Sequence, residues 1–173
     1  MIDTVLCAAR DTLRRYLGPQ PNGEEIAHLT CPGKGVDGQR NYLGLMFIGL
    51  EHEANLRSTA QGFSLDANIV FMLYSVFSDY NDSLSYLSMA LGCFQDHIRF
   101  SASDFPDLSL PSYPLYIEPY FFPLEQHLQT WNPFMDDSIP FMFYKIRSLQ
   151  FKTLKQPAPP VSVIDAALNR MPP

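Results

Sequence analysis

Apolar residues recur along the chain with two different periods, and the switches between them mark the elements. Ile2, Val5, Leu6, Ala9, Leu13, Tyr16 and Leu17 follow steps of three and four, which predicts an opening helix. Arg14 and Arg15 in its last turn suit the negative end of the helix dipole, and Gly18-Pro19 stops it. Gln20 to Arg40 is rich in Gly, Pro and Asn and reads as a long loop with a short strand around Ile26–Leu29. Tyr42 to Leu50 is apolar at odd and even positions alike, the pattern of a strand covered on two sides. Glu51, His52 and Glu53 then break it. Ala60 to Asp66 reads as a second loop. Asn68 to Phe77 reads as a strand rich in β-branched and aromatic residues.

Asp79-Tyr80-Asn81-Asp82 offers helix caps, and Leu84, Leu87, Leu91, Phe94 and Ile98 then keep helical spacing. Gly92 is a place where that helix can approach a sheet closely. Arg99-Phe100 suits a short strand and Asp104 to Pro114 a connection. Tyr113 to Phe121 reads as a strand, with Pro119 placing it near an edge or bend. A short helix follows from Pro123, with Leu124, Leu128 and Trp131 on one face, until Asn132-Pro133 stops it. Phe141 to Phe151 is the clearest strand. Met142, Tyr144 and Ile146 alternate to one side, with Lys145 and Arg147 on the other beside Phe143 and Leu149. The order predicts one α/β domain of the α+β kind over residues 1–155. It is a mixed sheet of about four to five strands flanked by helices. Residues 156–173 form a Pro-rich extended tail that ends in a short apolar segment around Ile164 to Leu168.

Composition narrows the choice. At 173 residues and 46% hydrophobic, the chain can bury one real core and has too little for two comfortable ones. Only 17% of residues are charged while 13% are aromatic, which excludes disorder and leaves apolar surface for another protein to meet. A net charge of -6 makes nucleic acid a poor partner, because phosphates call for clustered Lys and Arg. No apolar run reaches the ~20 residues of a membrane span, and the N-terminus shows no cleavable signal, so synthesis in the cytoplasm is expected. Three cysteines, Cys7, Cys31 and Cys93, read as reduced and mostly buried thiols.

Candidate chemistry is sparse. No P-loop, HExxH or GxSxG occurs. Cys93 and His97 stand one helical turn apart, but zinc needs four ligands and no second pair stands at suitable spacing. On a continuing strand Glu51 and Glu53 share a face with His52 opposite, which suits a solvated end or an interface salt bridge better than acid–base catalysis. Asp136-Asp137 fits a turn, and Trp131 fits core or interface. No catalytic, cofactor-binding or metal-ligating residue is expected, and the chain does not read as an enzyme.

Charge is unevenly sorted. No Lys or Arg stands between Arg57 and Arg99, whereas Lys145, Arg147, Lys152 and Lys155 occur with no acid among them. The segment fits a solvated strand edge guarded by cations, or one half of a head-to-tail contact with an acidic neighbour.

Four segments together carry a family resemblance. They are MIDTVLCAARDTLRRYL, LGLMFIGLEHEANLRS, NIVFMLYSVFSDYNDSLSYLSMALGCFQDHIRFSASDFPDL and LYIEPYFFPLEQHLQTWNPFMDDSIPFMFYKIRSLQF. Within them stand Glu51, Glu53, Leu56 and Arg57; Tyr74, Tyr80 and Phe94-Gln95; and Leu124-Glu125-Gln126, Trp131, Tyr144, Lys145 and Arg147. In this order they resemble the small domain of cap, or tail-terminator, proteins of phage-tail-like contractile injection systems, of the antifeeding-prophage and Photorhabdus-virulence-cassette type. The resemblance runs over residues 1–155. It departs at Gly49, where the family strand commonly has Asn, and in the loop Gln20 to Arg40. Some relatives carry a second domain to which it does not extend.

The resemblance implies a phage tail-terminator-like fold and a structural role. Such proteins form a ring, expected as a homohexamer, that caps inner tube and sheath at the end distal to the baseplate and ends their polymerisation. The implied partners are copies of itself, the inner-tube protein and the sheath protein, with no nucleic acid, membrane insertion or cofactor. The implied location is a phage-tail-like particle. Glu51, Glu53, Arg57, Lys145, Arg147, Lys152 and Lys155 are the candidate contacts to a neighbouring subunit or the tube. The tail from Gln156 is expected to pack on a neighbour or on a tube or sheath protein. The alternative is a cytoplasmic adaptor or chaperone for a secreted cargo.

Overall fold

The computed structural model describes residues 1–32, 36, 41–52, 57–59, 62–121 and 139–152, without the side chains of 57–59, 62–65, 148, 151 and 152. The elements run α1 (Ile2–Leu17), β1 (Ala27–Leu29), β2 (Tyr42–His52), β3 (Arg57–Thr59), β4 (Gly62–Val76), α2 (Tyr80–Asp96), β5 (Arg99–Phe100), β6 (Leu115–Pro119) and β7 (Phe141–Lys152). The strands form one mixed sheet in the order β1-β2-β4-β7-β6-β5, and β3 also pairs with β4. Among the described strand pairs only β1 and β2 run parallel. Three of the seven strands hold two or three residues, too few for a periodicity to show, which is why the alternation pattern shows fewer strands.

Both described helices lie on one face of the sheet. α1 buries Val5, Leu6, Ala8, Ala9 and Leu13, and Thr12 on the same face returns its hydroxyl to the Ala8 carbonyl at 2.8 Å. Its C-terminal end is tied to β1 by the Arg14 guanidinium, which donates to the Ala27 carbonyl at 2.8 Å and pairs with Glu25 at 3.2 Å. Asp79 caps α2 by accepting from the Asn81 N–H at 2.7 Å. Against these helices the sheet presents Leu43, Leu45, Ile69, Phe71, Leu73, Tyr144 and Ile146, all buried. Tyr144 stacks on Phe71 at 5.6 Å between centroids and meets Phe94 of α2 edge-on at 5.0 Å.

The opposite face has its own smaller apolar cluster of Tyr42, Met46, Met72, Tyr74 and Phe143. β2 is thus covered on both sides, as its continuous apolar run predicts. Gly44 lies across from Tyr74, and a Cβ there would fall onto the Tyr74 ring. Glycine is required at this position because the phenol crosses directly over the backbone.

Several expectations change. β2 continues through Glu51 to His52, because Asn68 and Ala67 of β4 still pair with it there. The expected loop at Ala60–Asp66 is strand from Gly62 onward, since β3 and β7 flank that part of β4. On α2 the buried face is Ser83, Leu87, Ala90, Cys93 and Phe94, so Leu84 and Ile98 are exposed. Gly92 faces α1, where the nearest atom to a Cβ would be the Tyr16 hydroxyl at 3.8 Å, and not the sheet. Leu149 joins the helix-side core with Ile146, because the register shifts between Ala67 and Ile69. Of the thiols only Cys93 is buried; Cys31 is exposed and Cys7 half-buried. The helix expected after Pro123, Trp131, Asp136-Asp137 and the tail lie outside the described residues.

Candidate interface site

Beyond Met72 and Phe143 the non-helical face changes from apolar to charged. Four strands place the residues. Glu51 of β2 stands opposite Asn68 of β4, Lys145 of β7 stands between Val70 of β4 and Glu118 of β6, and Arg147 stands opposite Tyr116. The Lys145 ammonium lies 3.2 Å from Glu51 Oε2 and 3.6 Å from Glu118 Oε1. Arg147 reaches Glu118 Oε2 at 3.3 Å. Tyr120 donates its phenol to Glu51 Oε1 at 2.9 Å, and Lys145 sits 4.9 Å from the centre of the same ring.

These contacts set the charge states. Burial pushes the Glu51 carboxyl up, but the Tyr120 hydrogen bond, the Lys145 ammonium and Asn68 together outweigh it and hold it below its ordinary value. Burial first, and then the Glu51 carboxylate, push the Tyr120 phenol up. Lys145 is the most enclosed of the four charged residues, its side chain 18% exposed against 37% for Glu51 and 38% for Glu118. The two acids and two bases cancel in formal charge.

The seven residues singled out in the sequence therefore divide. Glu51, Lys145 and Arg147 come together, with each other's region supplying their partners. Arg57 of β3 and Lys152 of β7 both register on Ser64 of β4, so their backbones fall in one row further out along the same sheet. Glu53 and Lys155 lie outside the described residues. Glu118, Tyr120 and Asn68 were not among the candidate residues. A lone acid in the apolar run LYIEP, set against lysine in another strand, was the only signal for Glu118, and it does not say which strands pair.

Nothing in this arrangement activates a nucleophile. Among the described residues no group of three His, Cys, Asp or Glu converges as metal ligands. The Cys93 thiol is pushed up to about 12, by burial first and then by Asp96, and His97 turns its Nδ1 to the Cys93 carbonyl at 3.0 Å. A buried neutral thiol is an ordinary core group. The string Gly33-Lys34-Gly35-Val36-Asp37-Gly38 does have G-x-G-x-x-G spacing, which corrects the expectation that no such motif occurs. The next described element after it is strand β2 and not the helix whose N-terminus would receive a pyrophosphate. No described helix is long and apolar enough to cross a membrane.

The fold and the site define an α+β domain with helices on one face of its sheet and a cross-strand ion network on the other. The chain belongs to the Pvc16 N-terminal domain family, whose pattern matches residues 10–163. Two solved structures share the fold. The sheath/tube terminator of an extracellular contractile injection system in its extended state superposes with a TM-score of 0.62 at 12% identity, over 99% of this chain and 64% of that one. The anti-feeding prophage cap, a tube-terminating cap, superposes with a TM-score of 0.57 at 11% identity, over 91% of this chain and 58% of that one. The chain thus spans about three fifths of the length of each. No curated protein matches its sequence.

Proposed function

We propose that the chain is a cap of a contractile injection system, a subunit of a ring that ends the inner tube and sheath at the end distal to the baseplate. The observation that carries this is the superposition of 99% of the chain on a sheath/tube terminator. Membership in the Pvc16 N-terminal domain family supports it independently. The partners are further copies of the chain, the tube protein and the sheath protein, and the role is structural. Residues 1–155 form the ring-building domain, the tail serves contacts between chains, and the site of action is a phage-tail-like particle.

The internal pairing of Lys145 and Arg147 divides the labour among the candidate interface residues. Glu51, Lys145 and Arg147 hold four strands in register. Lys152, Lys155, Glu53 and Arg57 meet the neighbouring subunit or the tube end. A ring contact is heterologous, so these residues need face no copies of themselves. Reversing Lys152 and Lys155 to Glu is expected to weaken ring assembly with little change in the urea midpoint, and unchanged assembly would refute the assignment. The test of the function is electron microscopy of particles made without the protein, which should show overlong or unstable tubes. Normal tube lengths, with the protein a free monomer or dimer absent from particles, would instead indicate a cargo adaptor.

A further inference from the structure

At the C-terminal end of α2, where the chain turns into β5, a cavity of about 500 Å³ opens between α1 and the loop after β5. Phe100 and Phe105 line it, edge-on to each other at 6.2 Å between centroids. Arg15, His97 and Arg99 stand around them. Arg15 donates Nη1 to the Asp104 carbonyl at 2.9 Å, and its guanidinium lies 4.3 Å over the Phe105 ring. That holds the group in place and spends a single N–H of the fork. His97 turns Nδ1 to the Cys93 carbonyl at 3.0 Å, which leaves Nε2 as its open ring nitrogen.

Asp104 is the one acid among the described residues that line the cavity. Its Oδ2 accepts from the Ser101 N–H at 2.6 Å and from the Ser101 hydroxyl at 2.8 Å. Neither arginine forms an ion pair among the described residues. One carboxylate beside two guanidinium groups leaves the pocket short of an anion.

α2 carries the complement at its other end. Asp79, Tyr80 and Asp82 are exposed around its first turn, Tyr80 to 55%. Among the described residues neither acid forms an ion pair. No Lys or Arg stands between Arg57 and Arg99 to offset them locally. A ring with a polar tip, flanked by carboxylates, is the kind of group that anchors an interface. We propose that the pocket of one copy receives the Asp79–Asp82 turn of a second copy, with the Tyr80 ring in the cavity and Asp82 against Arg99 and Arg15.

Charge and distance select this occupant. The turn is acidic where the pocket is basic, and both belong to the same chain. α2 has 17 residues, about 25 Å at ~1.5 Å per residue, and it is packed on the sheet through Leu87, Ala90 and Phe94. A rigid helix therefore keeps the turn away from its own pocket. With the two halves at opposite ends of one helix the contact is heterologous, and such contacts close a ring when they repeat.

The inference rests on the ring reading above. Its test uses the full chain with Arg99→Glu and, separately, Asp82→Arg. Each is expected to weaken self-association by about tenfold or more in sedimentation equilibrium, because like charges then meet. The urea midpoint should change little, since both side chains are exposed. Mixing the two variants should restore assembly: the reversed pocket then meets the reversed turn, and the unaltered pocket meets the unaltered turn. A mixture that stays weak would show that turn and pocket do not meet. Undiminished self-association of both variants would show the same, and loss of tube- or sheath-protein binding in its place would assign the pocket to that partner. Each of these results overturns the inference and leaves the ring reading standing. Absence of self-association in the unmodified chain would overturn both. As a second measurement, Tyr80→Ala should weaken self-association by about tenfold while Tyr80→Phe retains most of it. Full retention by Tyr80→Ala would refute the seating of the ring in the pocket.

Discussion

The two faces of the sheet solve the same burial problem in opposite ways. Among the described residues the helix side carries an apolar core under α1 and α2, with Phe71, Tyr144, Ile146 and Leu43 wholly buried. The other side starts with rings and methionines around Tyr74 and ends in the row Glu51, Lys145, Glu118 and Arg147. The first stabilises by removing apolar area from water, the second by pairing charges that remain partly wet. The difference shows that β7 is no free basic strand. Its two described cations are held by acids from β2 and β6.

Substitutions that act on one face at a time can break that contrast. The largest effect is expected on the helix side. Phe71→Ala removes a buried ring stacked on Tyr144 and should cost about 3–5 kcal/mol in urea unfolding. A loss as small as that of a surface change would mean that the helix layer is not the main core. Next comes Gly44→Ala, which forces the Tyr74 ring to move and should cost about 1–3 kcal/mol. Tyr74→Leu in the same chain should recover part of that loss, and failure to recover it would place the strain elsewhere.

The ion network should contribute less. A double-mutant cycle between Glu51→Gln and Lys145→Met is expected to give a coupling of about 0.5–1 kcal/mol, discounted because Glu51 is 37% exposed. Zero coupling would return Lys145 to the role of a free interface cation. The smallest expected effect is the pH dependence. Glu51 is held below its ordinary 4.5, so its contribution is present above that value and is lost as pH falls through the lower folded value. The stability difference between the unmodified chain and Glu51→Gln should shrink by a few tenths of a kcal/mol from pH 6 to pH 3. A constant difference would show that the carboxylate does no more than the amide.

The elements were legible where a local period was long enough to read. α1, β2, β6 and β7 follow directly from apolar spacing, and Asp79 marks the start of α2. The interface site was only half legible. Lys145, Arg147 and Glu51 stood out as charges at strand positions, yet their partners Glu118 and Tyr120 lie far away in sequence, and strand order alone unites them. The pocket between α1 and β5 was not legible at all, because its walls come from α1, the end of α2, β5 and the loop at Asp104 and Phe105.

By itself the sequence determined the type and sequence order of the long elements and the two-sided burial of β2. Periodicity, capping and residue chemistry are local properties and can be read without a partner. The tertiary structure alone decided which face each residue meets where the register slips. Leu149 moves to the helix side because of one shift between Ala67 and Ile69. It also decided that Lys145 and Arg147 pair with acids from β2 and β6. Pairing of strands is a long-range choice, and a one-residue slip reverses every side chain after it.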